Sequence, residues 1–364
     1  MIRAQAEFSA NALIKNYKLI SAKVPHLKMI PMIKANAYGH GAVWAAKTLL
    51  PQKNLYAFGV ATFDEAIEIR AEVKRGPPIL VFSDTAPWSQ DRLQLCRKLN
   101  LEPVFSEIVS LLEFQKQKNN REVPFHVEVN TGMNRLGIPA ESLSLIRQVP
   151  KSVFTHLADA DEPGLKLTQF QIKKFTEVVA FIAQKFPTAD LHFANSSTIW
   201  NHKRFPLLEQ MTVARPGLSL YGIRPFAKAK EDGLKRVMTF SAPVLNKIYL
   251  NPGDQVGYGG TYTCKKRGGE WVSVLGAGYA DGVFRSLSGC GIGVYAKSKQ
   301  RVSFLGRVSM DLSAVQGSPK VQIGDRVILW GDAIDPYEQA HLAGTIPYEL
   351  TTRVGPRIER VEKA

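Results

Sequence analysis

Five polar positions in the first two-thirds of the chain stand out because each closes or follows an apolar run. Lys34 ends the run at 27–34 and opens KANAYGHG, and Arg135 follows the run at 125–130 within NTGMNRLG. His156 lies in FTHLADADE, Asn195 and Ser196 in FANSS, and Arg215 and Gly217 in ARPGLSLYG. Singly, each has an ordinary reading as a surface lysine or a satisfied polar residue. Together they suit a phosphorylated aldehyde cofactor. A lysine amine forms a Schiff base with an aldehyde, the more readily when burial or another cation lowers its pKa. The Ser196 hydroxyl and the backbone amides around Gly217 and Leu218 are suited to cradle a phosphate, since glycine lets the backbone approach closely. Arg135 offers a planar fork for a carboxylate.

These positions imply a scaffold that brings strand ends to one rim. Apolar runs at 27–34, 55–61, 78–83, 101–105, 125–130, 152–158, 190–195 and 211–215 alternate with stretches of helical spacing, among them 90–99, 108–117 and 169–186. Eight β units separated by helical ones predict a (β/α)₈ TIM-like barrel, whose chemistry sits on the loops after the strands. After about Phe226 the pattern changes to β-branched runs punctuated by NPGD at 251–254, GG at 268–269 and QIGD at 322–325, with one short helical stretch at 337–343. The expected fold is therefore α/β: a barrel domain over residues 1–228 followed by a mostly β C-terminal domain over 229–364. The division falls near KAKEDGLKR, and the first ten or so residues are candidates to pack on the β domain.

A length of 364 residues fits a barrel of ~250 residues with a domain appended. With 45% hydrophobic and 22% charged residues the chain reads as globular rather than disordered. No apolar run approaches the ~18 residues that span a bilayer, so no membrane association is expected. The N-terminal stretch has no apolar h-region or cleavage site, so no secretory signal is expected. Cys96, Cys264 and Cys290 offer neither a disulfide framework nor a metal knot, which suits the cytoplasm. The net charge of +15 raises nucleic acid as a partner, but the basic stretches at 228–236, 265–267 and 297–301 are short and carry no interleaved aromatics. A solvated basic surface, or a site that attracts small anions, accounts for the charge without nucleic acid. WVSVLGAGYADG invites a dinucleotide reading, yet its glycines are spaced G-x-G-x-x-x-G, a poor helix follows, and the required acidic residue is missing.

KANAYGHG, NTGMNRLG, THLADADE, ANS, RPGLSLYG, GYGGTY, GYADG, GRVSMD and TIPYE occur in this order between residues 34 and 349. In this the chain resembles the alanine racemases, fold-type III enzymes that depend on pyridoxal 5'-phosphate. The glycine-rich phosphate loop and the C-terminal cysteine motif of the related decarboxylases are not found. The resemblance implies that Lys34 holds the cofactor and is the acid/base on one face of the substrate carbon. It implies that Tyr258, from the partner subunit, is the acid/base on the other. His156 matches the residue linking that tyrosine to the arginine at position 215, and Arg215 matches the arginine facing the pyridine nitrogen. Tyr38, Asn195, Ser196, Gly217, Leu218 and Tyr348 match other cofactor-binding positions. Arg135 and the partner's Met310 match the substrate-carboxylate contacts. Asp161, Tyr279, Arg285, Arg307, Asp311 and Ile346 sit where the family builds its entry corridor. The implied assembly is a head-to-tail homodimer with shared active sites, acting on alanine and supplying D-alanine for peptidoglycan, with no metal. Serine or broader amino-acid racemisation shares the same machinery. A non-catalytic carrier of the cofactor would need only the barrel.

One position departs from the family pattern. Many relatives carry a carbamylated lysine seven residues before the carboxylate-binding arginine, and here that position is Glu128. Either Glu128 is a satisfied barrel-interior residue, or it supplies permanently the negative charge that steadies Arg135. Glutamate is several bonds shorter than a carbamylated lysine, so a water or an anion is a candidate to fill the gap.

Overall fold

The computed structural model describes residues 3–161, 166–226 and 233–363. Strand β1 (Gln5–Phe8) comes first. Eight parallel strands follow: β2 (Lys28–Met29), β3 (Phe58–Val60), β4 (Ile79–Val81), β5 (Leu101–Phe105), β6 (His126–Glu128), β7 (Ser152–Phe154), β8 (Asp190–His192) and β9 (Val213–Ala214). Strands β3 to β8 form one continuous sheet, and β2 pairs with β9. Single bridges close the ring, Met29 to Leu55 and Met32 to Gly59 on one side, Ala194 to Ala214 on the other. The predicted (β/α)₈ barrel is thus present, with a strand inside every expected run. Val60, Leu80, Val104, Val127, Val153 and Val213 are wholly buried, as strands covered on both faces require. The ladders are shorter than the apolar runs because the strand ends peel away into the loops that carry the polar groups.

Capping fixes where the outer helices begin. Thr62 and Glu65 form a reciprocal capping box at the helix Phe63–Glu72, and Ser9 and Ser89 cap Ala10–Lys23 and Gln90–Leu99. The helix Lys166–Lys185 buries Thr168, Gln171, Phe175, Val178, Val179 and Ile182, a stripe at helical spacing.

The rest of the chain is mostly β. Its central strand, β10 (Met238–Leu250), pairs antiparallel with Glu270–Leu275 and with Arg326–Trp330. Strand β1 joins this sheet rather than the barrel. It lies antiparallel to β10, with Phe8 opposite Met238, and parallel to Glu359–Glu362, with Gln5 opposite Glu359. The barrel and the β region have separate apolar cores, and Trp44 packs against both, its ring 5.5 Å from that of Phe8. The expected division between residues 228 and 229 lies outside the described residues.

Gly39 is one place where the two parts touch closely. Its φ is +85°, and a Cβ there would lie 2.1 Å from the carbonyl oxygen of Thr351 in the helix Pro347–Thr352. Gly39→Ala therefore incurs both a left-handed backbone penalty and a clash with backbone that cannot rotate away. We expect a loss of stability of at least about 2 kcal/mol, seen as a lower urea midpoint for the β region, whereas an unchanged midpoint would mean that this contact yields freely.

Candidate active site

The loops after the barrel strands enclose a cavity of about 540 Å³. It is lined by Lys34, Tyr38, Arg135, His156, Asn195, Ser196, Arg215, Gly217 and Leu218 from the barrel, and by Ile346 and Tyr348 from the C-terminal part of the same chain. An adjoining cavity shares His156, Asn195, Ile346 and Tyr348 and adds Asp161 and Tyr337. All the barrel residues singled out in the sequence are thus brought to these two connected spaces.

Lys34 does not end a strand, as the sequence suggested. It begins a left-handed turn in which Ala35, Asn36, Ala37 and Tyr38 have φ of 50°, 52°, 54° and 55°. Each such non-glycine residue costs roughly 1–2 kcal/mol, so the turn must be held from outside. The Glu65 carboxylate accepts from the Ala35 amide at 2.6 Å, and the Asn36 side-chain oxygen accepts from the Ala42 amide at 2.8 Å. The turn seats Tyr38 against Tyr221 and Tyr348, with ring centroids 5.1 and 5.9 Å away. Burial first, and then the charge of Arg135, hold the Lys34 amine below the ordinary lysine range, with Glu65 and Glu128 opposing and Arg215 adding to the depression.

Arg215 is fully enclosed. One guanidinium nitrogen donates to His192 Nδ1 and the other to the carbonyl of Thr155 at 2.9 Å, with His156 Nδ1 at 3.5 Å. Its plane lies 4.4 Å from the ring of Phe154. Burial lowers its pKa to about 10, so it remains a cation at neutral pH. Burial, followed by the charges of Arg215, Arg135 and Lys34, pushes His156 down to about 3 and keeps it neutral.

The same cavity also holds a cluster of neutral hydrogen-bonding groups. The Gly217 and Ser219 amides point to Ser196 Oγ at 3.0 and 3.3 Å, and a Cβ on residue 217 would meet the Tyr38 hydroxyl at 2.5 Å. Only glycine admits that hydroxyl. The Asn195 side-chain oxygen accepts from the Thr198 amide at 2.9 Å and so fixes the short helix that presents Ser196. Amides, hydroxyls, a partly buried amine and guanidiniums lining one cavity fit a phosphorylated pyridine aldehyde.

Glu128 is buried and lines the same cavity, where Ser106 Oγ donates to its carboxylate at 3.0 Å. Among the described residues no ion pair within 4.0 Å joins it to Arg135, so it does not replace a carbamylated lysine by direct contact. Its charge acts at longer range, favouring the cationic forms of Lys34 and Arg215.

Six residues picked out by resemblance are not in either cavity of this chain. Tyr258 (72% exposed), Met310 (54% exposed), Tyr279, Arg285, Arg307 and Asp311 lie on the outside of the β region. Several of them adjoin one another. The Tyr279 amide donates to the carbonyl of Ser309, the Arg307 guanidinium lies beside Gly259, and Arg357 bridges Asp311 and Asp281. Residues that sequence reasoning missed include Phe154, beneath Arg215, Tyr337, in the second cavity, and His192. The signal for His192 was an imidazole in the middle of the buried run LHFAN.

The family profile described as "Alanine racemase, N-terminal domain" matches residues 8–225, and "Alanine racemase, C-terminal domain" matches residues 237–362. The chain is 34% identical to the alanine racemase of Carboxydothermus hydrogenoformans, with 98% of each chain covered. It is 34% identical to that of Coxiella burnetii, over 100% of this chain and 99% of the other. Among solved structures, the biosynthetic alanine racemase from Pseudomonas aeruginosa superposes with a TM-score of 0.87 at 28% identity, over the whole of both chains. The alanine racemase from Bartonella henselae with covalently bound pyridoxal phosphate gives 0.88 at 26% identity, again over the whole of both.

The charges around Lys34 make a signed prediction for the cofactor-free protein. Its amine is neutral, hence reactive, at lower pH than an ordinary lysine. Arg135→Gln removes a cation and should shift the onset of Lys34 labelling by an amine reagent to higher pH. Glu128→Gln removes an anion and should shift it lower. Peptide mapping across a pH series reads both, and shifts in the same direction would refute the assigned electrostatics.

Proposed function

This chain belongs to the alanine racemase family, and its activity is the interconversion of L- and D-alanine; we propose that it performs it with pyridoxal 5'-phosphate held on Lys34, in a homodimer whose sites are each built from both subunits. The observation that carries this reading is the meeting, in one cavity, of a partly buried amine with depressed basicity, a cluster of hydroxyls and amides, and two guanidiniums. When bound, the cofactor acidifies the substrate's α-hydrogen by delocalising its electrons.

The chain's own groups have these roles in the proposal. Ser196, Gly217, Leu218, Tyr38 and Tyr348 hold the phosphate, with Asn195 positioning Ser196. Arg215 faces the ring nitrogen with His156 beside it. An arginine donates a hydrogen bond without readily surrendering a proton, and this favours returning a proton to the substrate over other outcomes. Arg135 takes the substrate carboxylate together with the Met310 position of a second copy. Lys34 exchanges a proton on one face of the substrate carbon, and Tyr258 of a second copy does so on the other. Support for the dimer comes from the split in the site: Ile346 and Tyr348 reach the cavity of their own chain, whereas Tyr258, Met310, Tyr279, Arg285, Arg307 and Asp311 are left on an outer surface. A second subunit that presents this surface to the cavity mouth completes both halves and, with Asp161 and Ile346, the corridor leading in. We further place the enzyme in the cytoplasm, supplying D-alanine for peptidoglycan. Among the described residues no helix is long and apolar enough to cross a membrane, and the three cysteines are free thiols.

Two experiments test these assignments. Purified enzyme that racemises L-alanine should, after borohydride reduction and peptide mapping, carry the cofactor on Lys34, and a label on another lysine would sink the assignment. Separately, Lys34→Ala and Tyr258→Phe proteins should each be nearly inactive, with losses of about 10²–10⁴-fold for the tyrosine variant. Mixed at equal amounts, they should recover up to about a quarter of wild-type activity, because random exchange makes half the dimers mixed and one of the two sites in each intact. No recovery despite demonstrated exchange would place both residues in a single chain's site.

A further inference from the structure

Arg215 is the upper end of a continuous line of buried polar side chains that runs down the inside of the barrel. Beyond the guanidinium come His192, Ser152, His126 and Glu102, all at most 3% exposed. His192 Nε2 lies 2.9 Å from Ser152 Oγ, Ser152 Oγ 2.6 Å from His126 Nδ1, and His126 Nε2 2.9 Å from Glu102 Oε2. Lys151 Nζ meets both oxygens of Glu102, at 2.7 and 3.0 Å, at the opposite mouth of the barrel.

With one proton on each imidazole, the two ends fix the direction of every hydrogen between them. A guanidinium can only donate and a carboxylate can only accept. Because Arg215 donates to His192 Nδ1, the proton of a neutral His192 is on Nε2, and this proton points at Ser152. The serine oxygen is then occupied as an acceptor, so its own hydrogen goes to His126 Nδ1. His126 in turn carries its proton on Nε2 and gives it to Glu102. Each donor points the same way, and the alternative tautomer at either histidine would set two donors, or two lone pairs, against each other inside a dry core.

We propose that Glu102, His126, Ser152 and His192 are positioning residues that fix Arg215 as a donor to the site above through a one-way hydrogen-bond relay across the barrel. Glu102 is the terminal acceptor of that relay, reached from Arg215 through His192, Ser152 and His126. Burial alone would raise its pKa, but the contacts with His126 and Lys151 outweigh burial and hold it ionised. Phe154 keeps the upper end in register, stacking on His192 at 4.6 Å and 10° while also lying beneath Arg215. The inference rests on the proposed role of Arg215 for its catalytic consequence, but not for the relay itself.

The test separates these two. In ¹⁵N-histidine-labelled holoenzyme, both His192 and His126 should be single tautomers protonated on Nε2, read from long-range ¹H–¹⁵N correlations. Glu102→Gln, whose amide can present either a donor or an acceptor, should move the His192 resonances although three groups separate the two residues. Ser152→Ala, a small change that should fold, should lower kcat by roughly tenfold, the loss expected when a hydrogen bond steadying a charged group is cut. KM for L-alanine should stay within about twofold, since Arg135 and not Arg215 is assigned to the substrate. Either histidine protonated on Nδ1, or His192 signals indifferent to Glu102→Gln, would overturn the relay. The predicted tautomers with wild-type kcat in Ser152→Ala would leave a structural chain and overturn its positioning role. An intact relay in a protein that fails to racemise alanine would count against the proposed function instead.

Discussion

A guanidinium sealed inside a barrel is the constraint from which much of this structure follows. Arg215 cannot shed its charge near neutral pH, and an unpaired buried cation is among the costliest features a protein can carry. Its donors must therefore be met, and the interior is built to meet them: a carbonyl from Thr155, an aromatic face from Phe154, and the imidazole of His192. A barrel of this kind is ordinarily filled with layers of branched apolar side chains. Here polar residues take part of that space along β5 to β8, and they are tolerated because each finds a partner. The same charge has consequences above the layer, where it helps keep His156 neutral and Lys34 less basic than a surface lysine.

The parts of this architecture that were legible in the sequence are those governed by repetitive burial. Eight runs such as PPILVF and FHVEV announce themselves because strands covered on both faces must be apolar nearly throughout, and counting them was enough for the fold. The polar residues just beyond those runs were legible as a rim for the same reason. The turn after Lys34 was not. Four consecutive left-handed residues without a glycine among them contradict local preference, and they are held by side-chain contacts with the Glu65 carboxylate and the Ala42 amide as well as by backbone bonds of the turn. His126, Ser152 and Glu102 were overlooked because a single polar residue within a strand looks like an outward-facing position. Their partners are 24 to 49 residues away, beyond any local pattern. Tyr258 and Met310 could be marked only by motif, since nothing in spacing distinguishes an exposed tyrosine beside glycines from an ordinary turn residue.

The division of labour between the two parts of the chain is economical. The C-terminal part supplies Ile346 and Tyr348 to its own barrel through a short helix pinned by the close approach of Gly39 to Thr351. It holds the remaining motif residues on a different face, supported by the Arg357 bridge between Asp281 and Asp311 and by backbone bonds linking residues 279 and 280 to 309 and 310. One surface lines the cavity of its own chain, and the other lies outside both cavities.

Strand β1 gives this arrangement a history in time. Its two neighbours, β10 and Glu359–Glu362, lie more than two hundred and more than three hundred residues further along the chain. Throughout the synthesis of the barrel its edges have nothing to pair with, and pairings between such distant segments are slow to form. The barrel, whose strands pair mostly with their neighbours in sequence, can close as it emerges. The sheet that carries Tyr258 and Met310 closes later, once β1 has met β10 and Glu359–Glu362. A nascent chain therefore holds the barrel's share of the cavity before it holds Ile346 and Tyr348, which complete that cavity, or the outer face that carries Tyr258 and Met310.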